Sequence, residues 1–233
     1  MSLSYIQENL ARVRREIAQA EERVGRTGKS LMLAAVKYGT PEEIEALLAG
    51  GVTHVGENRV QQLLEHFSLF ERAGTKIHFI GSLQTNKVKY IIDKVEMIHS
   101  VDSLRLAVEI NKRAAQRGTV MDVLVEINAA REEAKSGVLP EEAEALCREI
   151  LQLPHLRLCG FMTMGPLLAD KAAYVSFFSE VKSLADTLWQ RLACKGRPLL
   201  SMGMSQSFAA AIEAGADMIR VGRGLFAKAD VPQ

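Results

Sequence analysis

Eight β-rich runs alternating with helical ones predict an α/β fold: a single (β/α)8 barrel of the TIM type with an additional N-terminal helix. Three observations carry this reading. Strand and helix alternate with short connections, which implies parallel strands joined by right-handed crossovers. The first strand is followed by "VKYGTPEE", with one glycine where a dinucleotide-binding open sheet would carry a Gly-rich fingerprint. Polar and small residues also gather just after the strands, where a barrel collects its chemistry.

The elements follow in order. "LSYIQENLARVRREIAQAEERVGR" places apolar residues at helical intervals among charges of both signs, so residues 1–28 read as an amphipathic helix. Within 31–226 the strand-like runs are "LMLAAVK", "THVGEN", "KIHFIG", "MIHSVD", "MDVLVEIN", "LRLCGFMTM", "LLSMGMS" and "MIRVGRGLF". Between them "PEEIEALLAG", "RVQQLLEHFSLFERAG", "QTNKVKYIIDKV", "SLRLAVEINKRAAQRG", "PEEAEALCREILQL", "YVSFFSEVKSLADTLWQRL" and "SFAAAIEAG" read as helices. Thr40-Pro41-Glu42-Glu43 offers an N-cap, a first-turn proline and early acidic residues. Gly50, Gly74, Gly118 and Gly215 sit where helices should stop. No linker or low-complexity tract interrupts the rhythm, so residues 1–233 are expected to form one domain.

Composition excludes several classes of function. Lys plus Arg total 29 and Asp plus Glu 28, a formal net charge of +1 that gives no electrostatic case for nucleic acid. No apolar run is long enough to span a bilayer, and no signal-peptide core is present. Cys147, Cys159 and Cys194 lack metal-ligand spacing, and their odd count argues against a disulfide framework. A reducing cytoplasm is the expected location, with neither a membrane nor a metal involved.

The strand ends supply the candidate site. They carry Lys37; Glu57, Asn58 and Arg59; Gly81, Ser82, Gln84 and Asn86; Asp102; Asn128; Thr163 to Gly165; Ser201 to Ser205; and Arg220 to Arg223. "SMGMSQSF" and "IRVGRGLF" bring Gly203, Gly222 and Gly224 to the loops after strands seven and eight, where barrels often cradle phosphate with backbone amides. Simple chain turns are the other reading of those glycines. Lys37 follows the first strand, which neighbours the eighth in a closed barrel. It is either a solvated strand end or an amine set beside that cradle for Schiff-base chemistry. Amine and cradle together suggest an aldehyde-bearing phosphate, and pyridoxal 5′-phosphate is the candidate. Arg220 then either donates to the cofactor's ring nitrogen or forms an ion pair across the rim with Glu57 or Asp102. His78 and His99 fall within strands and are expected to pack or hydrogen-bond there.

The strings "LAAVKYGTPEEI", "VGENRVQQL", "HFIGSLQTNKVKYI", "IHSVDSLRLA", "VLVEIN", "KSGV", "LCGFMTMGP" and "LSMGMSQSFAAAIEAGADMIRVGRGLF" appear together from Leu31 to Phe226. In that order they resemble the YggS/PROSC family of pyridoxal phosphate homeostasis proteins. The resemblance implies a barrel similar to the N-terminal domain of alanine racemase, with the cofactor as an internal aldimine on Lys37. It implies that Met204 and Ser205, with the backbone at Gly222 and Arg223, hold the phosphate. Arg220 matches the arginine facing the pyridine nitrogen, and Asn58 lines the cofactor's edge. Lys135 in "AKSG" is similar to a further loop lysine with a transient role toward the cofactor; an ordinary exposed lysine is the alternative. Lys87 and Lys89 are other amines within reach of the same question. Three positions depart from many relatives: Val36 stands where they carry Ser or Thr, Arg59 where they carry Tyr, and Ala227 in place of Gly.

Two functions follow from the resemblance. One is a holder that buffers or delivers pyridoxal phosphate in vitamin B6 homeostasis, with apo forms of cofactor-dependent enzymes as recipients. The other is a weak amino-acid racemase. Racemisation needs proton-transfer groups on both faces of the substrate carbon. Of Tyr5, Tyr38, Tyr90 and Tyr174, only Tyr38 falls at an expected rim, directly beside Lys37. The chain also runs only seven residues past Phe226, so no second domain is expected to lend a tyrosine. The holder is therefore the preferred expectation, with no catalytic residue assigned. A Schiff-base aldolase would place its lysine on the sixth strand, where "LRLCGFMTM" has none. A mere scaffold would leave the lysine, arginine and glycine loops unexplained.

Overall fold

The computed structural model describes residues 3–228; residues 1, 2 and 229–233 of the expected domain lie outside the described residues. Eight parallel strands close into a barrel in chain order, as the sequence predicts. They are β1 (Leu31–Ala35), β2 (His54–Glu57), β3 (Lys76–Phe79), β4 (Met97–Val101), β5 (Met121–Glu126), β6 (Leu156–Met162), β7 (Leu199–Met204) and β8 (Met218–Val221). Around them lie α1 (Ser4–Arg23), α2 (Pro41–Ala49), α3 (Val60–Arg72), α4 (Leu104–Gln116), α5 (Pro140–Ile150), α6 (Lys171–Arg191), α7 (Phe208–Glu213) and α8 (Arg223–Phe226). The seam pairs β1 with β8, setting Leu31 opposite Met218 and Leu33 opposite Arg220.

Strand alternation divides the apolar residues into two layers. Along β1, Leu33 and Ala35 enter the barrel lumen beside Ile80, Met97, Leu124, Met162 and Met218. Ala34 and Val36 instead join the larger core between strands and helices. Each fully buried Leu, Ile or Met contributes roughly 1.5–3 kcal/mol relative to exposure. A bulge in β7 alters this parity: Ser201 pairs with Met218 but Met204 with Arg220, three residues against two. Gly203 makes the bulge possible, with φ at +90° and no room for a side chain against Ala211. Ser201 and Met204 consequently both face inward.

The N-terminal helix packs on its own barrel. Ile6, Leu10, Val13, Ile17 and Ala20 recur at helical spacing and are buried, against α2, α7 and α8. Its exit to β1 is organised by the buried carboxylate of Glu21, which accepts the amides of Gly28, Lys29 and Ser30 at 2.8, 3.0 and 2.6 Å. At α2 the expected cap is a full capping box: the Glu43 amide donates to Thr40 Oγ1 and the Thr40 amide to Glu43 Oε2, with Pro41 in the first turn.

Two elements differ from expectation. The run "QTNKVKYIIDKV" forms a short 3-10 helix over Thr85–Tyr90 in place of an α-helix. Its Thr, Asn, Val and Ile residues are poor helix formers, and irregular turns suffice to bury Val88, Ile91, Ile92 and Val95. Strand β8 stops at Val221, and "RGLF" turns into α8 rather than extending the strand.

Candidate functional site

A cavity of about 400 Å³ opens at the C-terminal mouth of the barrel. All seven expected site residues line it: Lys37, Asn58, Met204, Ser205, Arg220, Gly222 and Arg223. Lys37 lies two residues past the end of β1 and does not close the strand. β1 ends at Ala35, and the lysine belongs to a 3-10 turn over Val36–Tyr38. That turn leaves Lys37 exposed at the mouth, with Nζ 4.8 Å from the centre of the Tyr38 ring.

The loops after β7 and β8 build the neighbouring wall. The amides of Gly222 and Gly224 both donate to Ser205 Oγ at 3.2 Å, so two backbone N–H groups converge on one oxygen. The Met204 amide donates to Ser207 Oγ at 3.1 Å, which fixes the start of the same loop. Helix α1 tethers this wall from behind: Arg12 donates to the Gly224 carbonyl at 2.8 Å, and Asn9 to the carbonyls of Leu225 and Ala227. On the β2 side Asn58 meets Gly81 so closely that a Cβ on Gly81 would lie 2.1 Å from the Asn58 carbonyl oxygen. Asn58 lines the cavity, and its Oδ1 atom is buried without a partner among the described residues.

Arg220 rises from β8 and is only 4% exposed. Its guanidinium donates to Ser201 Oγ at 2.7 Å and to the Thr163 carbonyl at 2.8 Å, and rests on the sulfur of Met164. Neither rim ion pair raised by the sequence forms among the described residues. Glu57 turns outward under α3 and bonds His66 Nδ1 at 2.9 Å, and Asp102 is absent from the cavity lining. Burial pulls the Arg220 guanidinium down to about 10, with Glu126 opposing, so it stays charged at neutral pH. The two strand histidines hydrogen-bond as expected: His78 Nδ1 meets His99 Nε2 at 2.9 Å, and His99 Nδ1 meets Ser201 Oγ at 3.0 Å. Burial drives the His99 imidazole well below its ordinary value and His78 down to about 3, so both are neutral.

Two ionisable lining residues, Glu126 and Tyr174, escaped the sequence reading. Glu126, the last residue of β5, is 3% exposed and accepts from Ser136 Oγ at 3.1 Å. Burial raises its carboxyl above the ordinary range; Asp102 adds to this, while Ser136 and Arg220 oppose it. β5 ends at Glu126, two residues before the end of "MDVLVEIN", and Asn128, expected at the rim, instead holds the following loop through Glu132. That loop doubles back through an Ile127–Val138 bridge and returns Lys135 and Ser136 to the cavity. Tyr174 also lines the cavity, contrary to expectation, although its hydroxyl is engaged by the Leu168 amide at 3.2 Å. It stands on the first turn of α6, which begins three residues before the expected run, so no strand-end rule points to it. Lys87 and Lys89 lie outside the lining, against the ring of Tyr90.

A closed parallel barrel with an amine, a buried arginine and paired loop amides at one mouth defines a class: a barrel that collects its chemistry at the C-terminal rim. Comparison with known proteins places it further. The model of the alanine racemase N-terminal domain matches residues 2–230. The chain is 43% identical over 220 residues to the pyridoxal phosphate homeostasis protein of Aquifex aeolicus, covering 94% of this chain and 96% of that protein. The protein of that name from Escherichia coli is 34% identical over 97% of both chains. Among solved structures, PipY of Synechococcus elongatus with pyridoxal phosphate bound superposes with a TM-score of 0.83 at 28% identity, over 95% of this chain and 100% of that one. The alanine racemase of Corynebacterium glutamicum, at 17% identity and a TM-score of 0.69, shares the fold across 98% of this chain and 62% of its own. This chain belongs to the pyridoxal phosphate homeostasis protein family, the YggS/PROSC family, within the alanine racemase N-terminal domain group. Among the described residues no helix is long and apolar enough to cross a membrane.

Proposed function

We infer that the chain binds pyridoxal 5′-phosphate at this mouth through a Schiff-base bond to Lys37, and keeps and passes on the cofactor in vitamin B6 homeostasis. The observation that carries this is the convergence of the Gly222 and Gly224 amides on one oxygen, in the cavity that Lys37 lines. Such a pair of donors suits a phosphate oxygen, and the unpartnered Asn58 Oδ1 and the Arg220 guanidinium suit a polar ring. The name shared by the curated relatives and the ligand bound to PipY support the same reading.

Each side chain then has a task. Ser205 and Met204, with the backbone at Gly222 and Arg223, hold the phosphate. Lys37 supplies the amine, and its approach is fixed by the 3-10 turn and the Tyr38 ring. Arg220 donates to the ring nitrogen and, being charged, keeps that nitrogen unprotonated. When bound, the cofactor supplies an electrophilic aldehyde carbon and, with its ring nitrogen neutral, a weak electron sink. That combination favours retention over turnover. The three free cysteines suit a reducing cytoplasm, where apo forms of cofactor-dependent enzymes would be the recipients.

The test is the visible spectrum of the purified chain after addition of pyridoxal phosphate, then borohydride reduction and peptide mapping. A reduced adduct on Lys37, absent from Lys37→Ala, is the expected result; an adduct elsewhere, or none, overturns the reading. A slow racemase is the second reading, favoured by Glu126: β5 lies opposite β1 in the barrel ring, so a carboxyl of raised pKa shares the cavity from the far side. Chiral analysis of amino acids incubated with the loaded chain decides it, with no turnover above Lys37→Ala expected.

A further inference from the structure

The lumen of a barrel is ordinarily packed with branched aliphatic side chains. Here a line of polar groups crosses it: Arg220 on β8, Ser201 on β7, His99 on β4 and His78 on β3. Ser201 and His99 are wholly buried. Placing such groups in a core is costly unless their hydrogen bonds are satisfied in one consistent pattern.

The proton positions follow from counting donors. Arginine has only donors, so Ser201 Oγ must accept from Arg220 Nη1. Ser201 has one proton of its own, and His99 Nδ1 is its one remaining neighbour within hydrogen-bond distance among the described residues. The hydroxyl therefore donates to His99 Nδ1. His99 then carries its proton on Nε2 and donates to His78 Nδ1, and His78 carries its proton on Nε2. That last N–H is unpartnered among the described residues. The reverse ordering would leave both the Ser201 proton and a His78 lone pair unused, and so satisfies fewer groups.

The geometry points to His99, backed by His78, as a positioning residue for Arg220 that acts through Ser201. This rests on the reading that Arg220 faces the cofactor ring. An arginine side chain gives up rotamer freedom when it is held. Thr163 fixes one end of the guanidinium with a rigid carbonyl, but the other end depends on a hydroxyl that can rotate. Committing that hydroxyl's proton to His99 turns its lone pairs toward Arg220. Without His99 the proton is free to swing toward the guanidinium and compete with the bond. The cofactor's ring nitrogen would then meet an arginine with one orientation lost.

Cofactor titration of the variants tests this. His99→Leu should weaken pyridoxal phosphate binding roughly tenfold, the size of one hydrogen bond to a charged group, and should displace the visible band. His99→Asn, which restores an acceptor near the Nδ1 position, should recover most of both. A purely structural role would lower the melting temperature while leaving band and affinity unchanged, so a folded His99→Leu that binds like the parent overturns the proposal. Arg220→Gln is run beside it. If that variant alone shifts the band, the relay fails and the site reading stands; if neither does, the site reading fails. The unaltered chain gives an independent readout without cofactor. Long-range ¹H–¹⁵N spectra should show His99 and His78 both protonated on Nε2, and a proton on His99 Nδ1 overturns the ordering.

Discussion

Adding one methyl group at Gly81 places a carbon 2.1 Å from the carbonyl oxygen of Asn58, a contact that backbone atoms cannot absorb without moving. Gly81→Ala should therefore cost about 1–3 kcal/mol, as overpacked positions do. It should also push Asn58 out of the cavity wall, so denaturant midpoint and cofactor affinity fall together. The lumen histidines set a pH dependence. Their folded values lie below the ordinary imidazole value, pressed down by burial first, then by His54 and Lys76 on His78 and by His78 and Arg220 on His99. In the window below the ordinary value the unfolded chain binds more protons than the folded one. Stability is thus complete above pH ~6.5 and falls as pH drops, by at most about 1.4 kcal/mol per pH unit for each histidine. Glu126 has the opposite sign: its raised carboxyl favours the fold in acid and gives that contribution up as pH rises. Urea titrations between pH 7.5 and 5, with His78→Asn alongside, should show the parent losing stability and the variant losing less.

Among the elements, the exit from α1 is the most exposed to a single change. Glu21→Ala would strip the amides of Gly28, Lys29 and Ser30 of their buried acceptor, and bonds to a charged group are worth roughly 1.5–3 kcal/mol. The expected result is a lower denaturant midpoint, with faster hydrogen exchange at those three amides. Element type was legible wherever periodicity ran long, as in α1 or α6, and wherever a cap was written out, as at Thr40. Boundaries were less legible, because an apolar alternation does not announce where a strand hands over to a turn. Lys37 and Asn128 each continue an apolar run, yet β1 and β5 stop two residues short of them. The direction of a strand-end side chain was also hidden. Glu57 and Asn58 are adjacent, yet one sits under α3 and the other at the cavity. The β7 bulge that turns Met204 inward depends on pairing partners far along the chain.

Taken whole, the molecule gathers its site along one seam. The first strand brings the lysine turn and the last brings Arg220 and the Gly222 amide, a juxtaposition that closure of an eight-stranded barrel dictates and the sequence therefore disclosed. The lumen relay was not legible, since four isolated polar residues on β3, β4, β7 and β8 carry no shared motif. A ligand that bridges both sides of the seam should stabilise the entire barrel. At a cofactor concentration about 100-fold above Kd the gain is about 2.7 kcal/mol, or roughly 5–10 °C in melting temperature for a chain of this size. Calorimetry should show that rise in the parent and a much smaller one in Lys37→Ala.

The seam has a consequence for how the protein is made. On the ribosome the lysine turn emerges early, and nearly the whole chain must follow before β8 can pair with β1. Only then can α1 reach the carbonyls of Gly224, Leu225 and Ala227 through Arg12 and Asn9. A nascent chain that lacks its last strand owns the amine but not the cradle. Capture of the cofactor would then mark the completion of synthesis, and truncated products would leave the vitamin pool untouched.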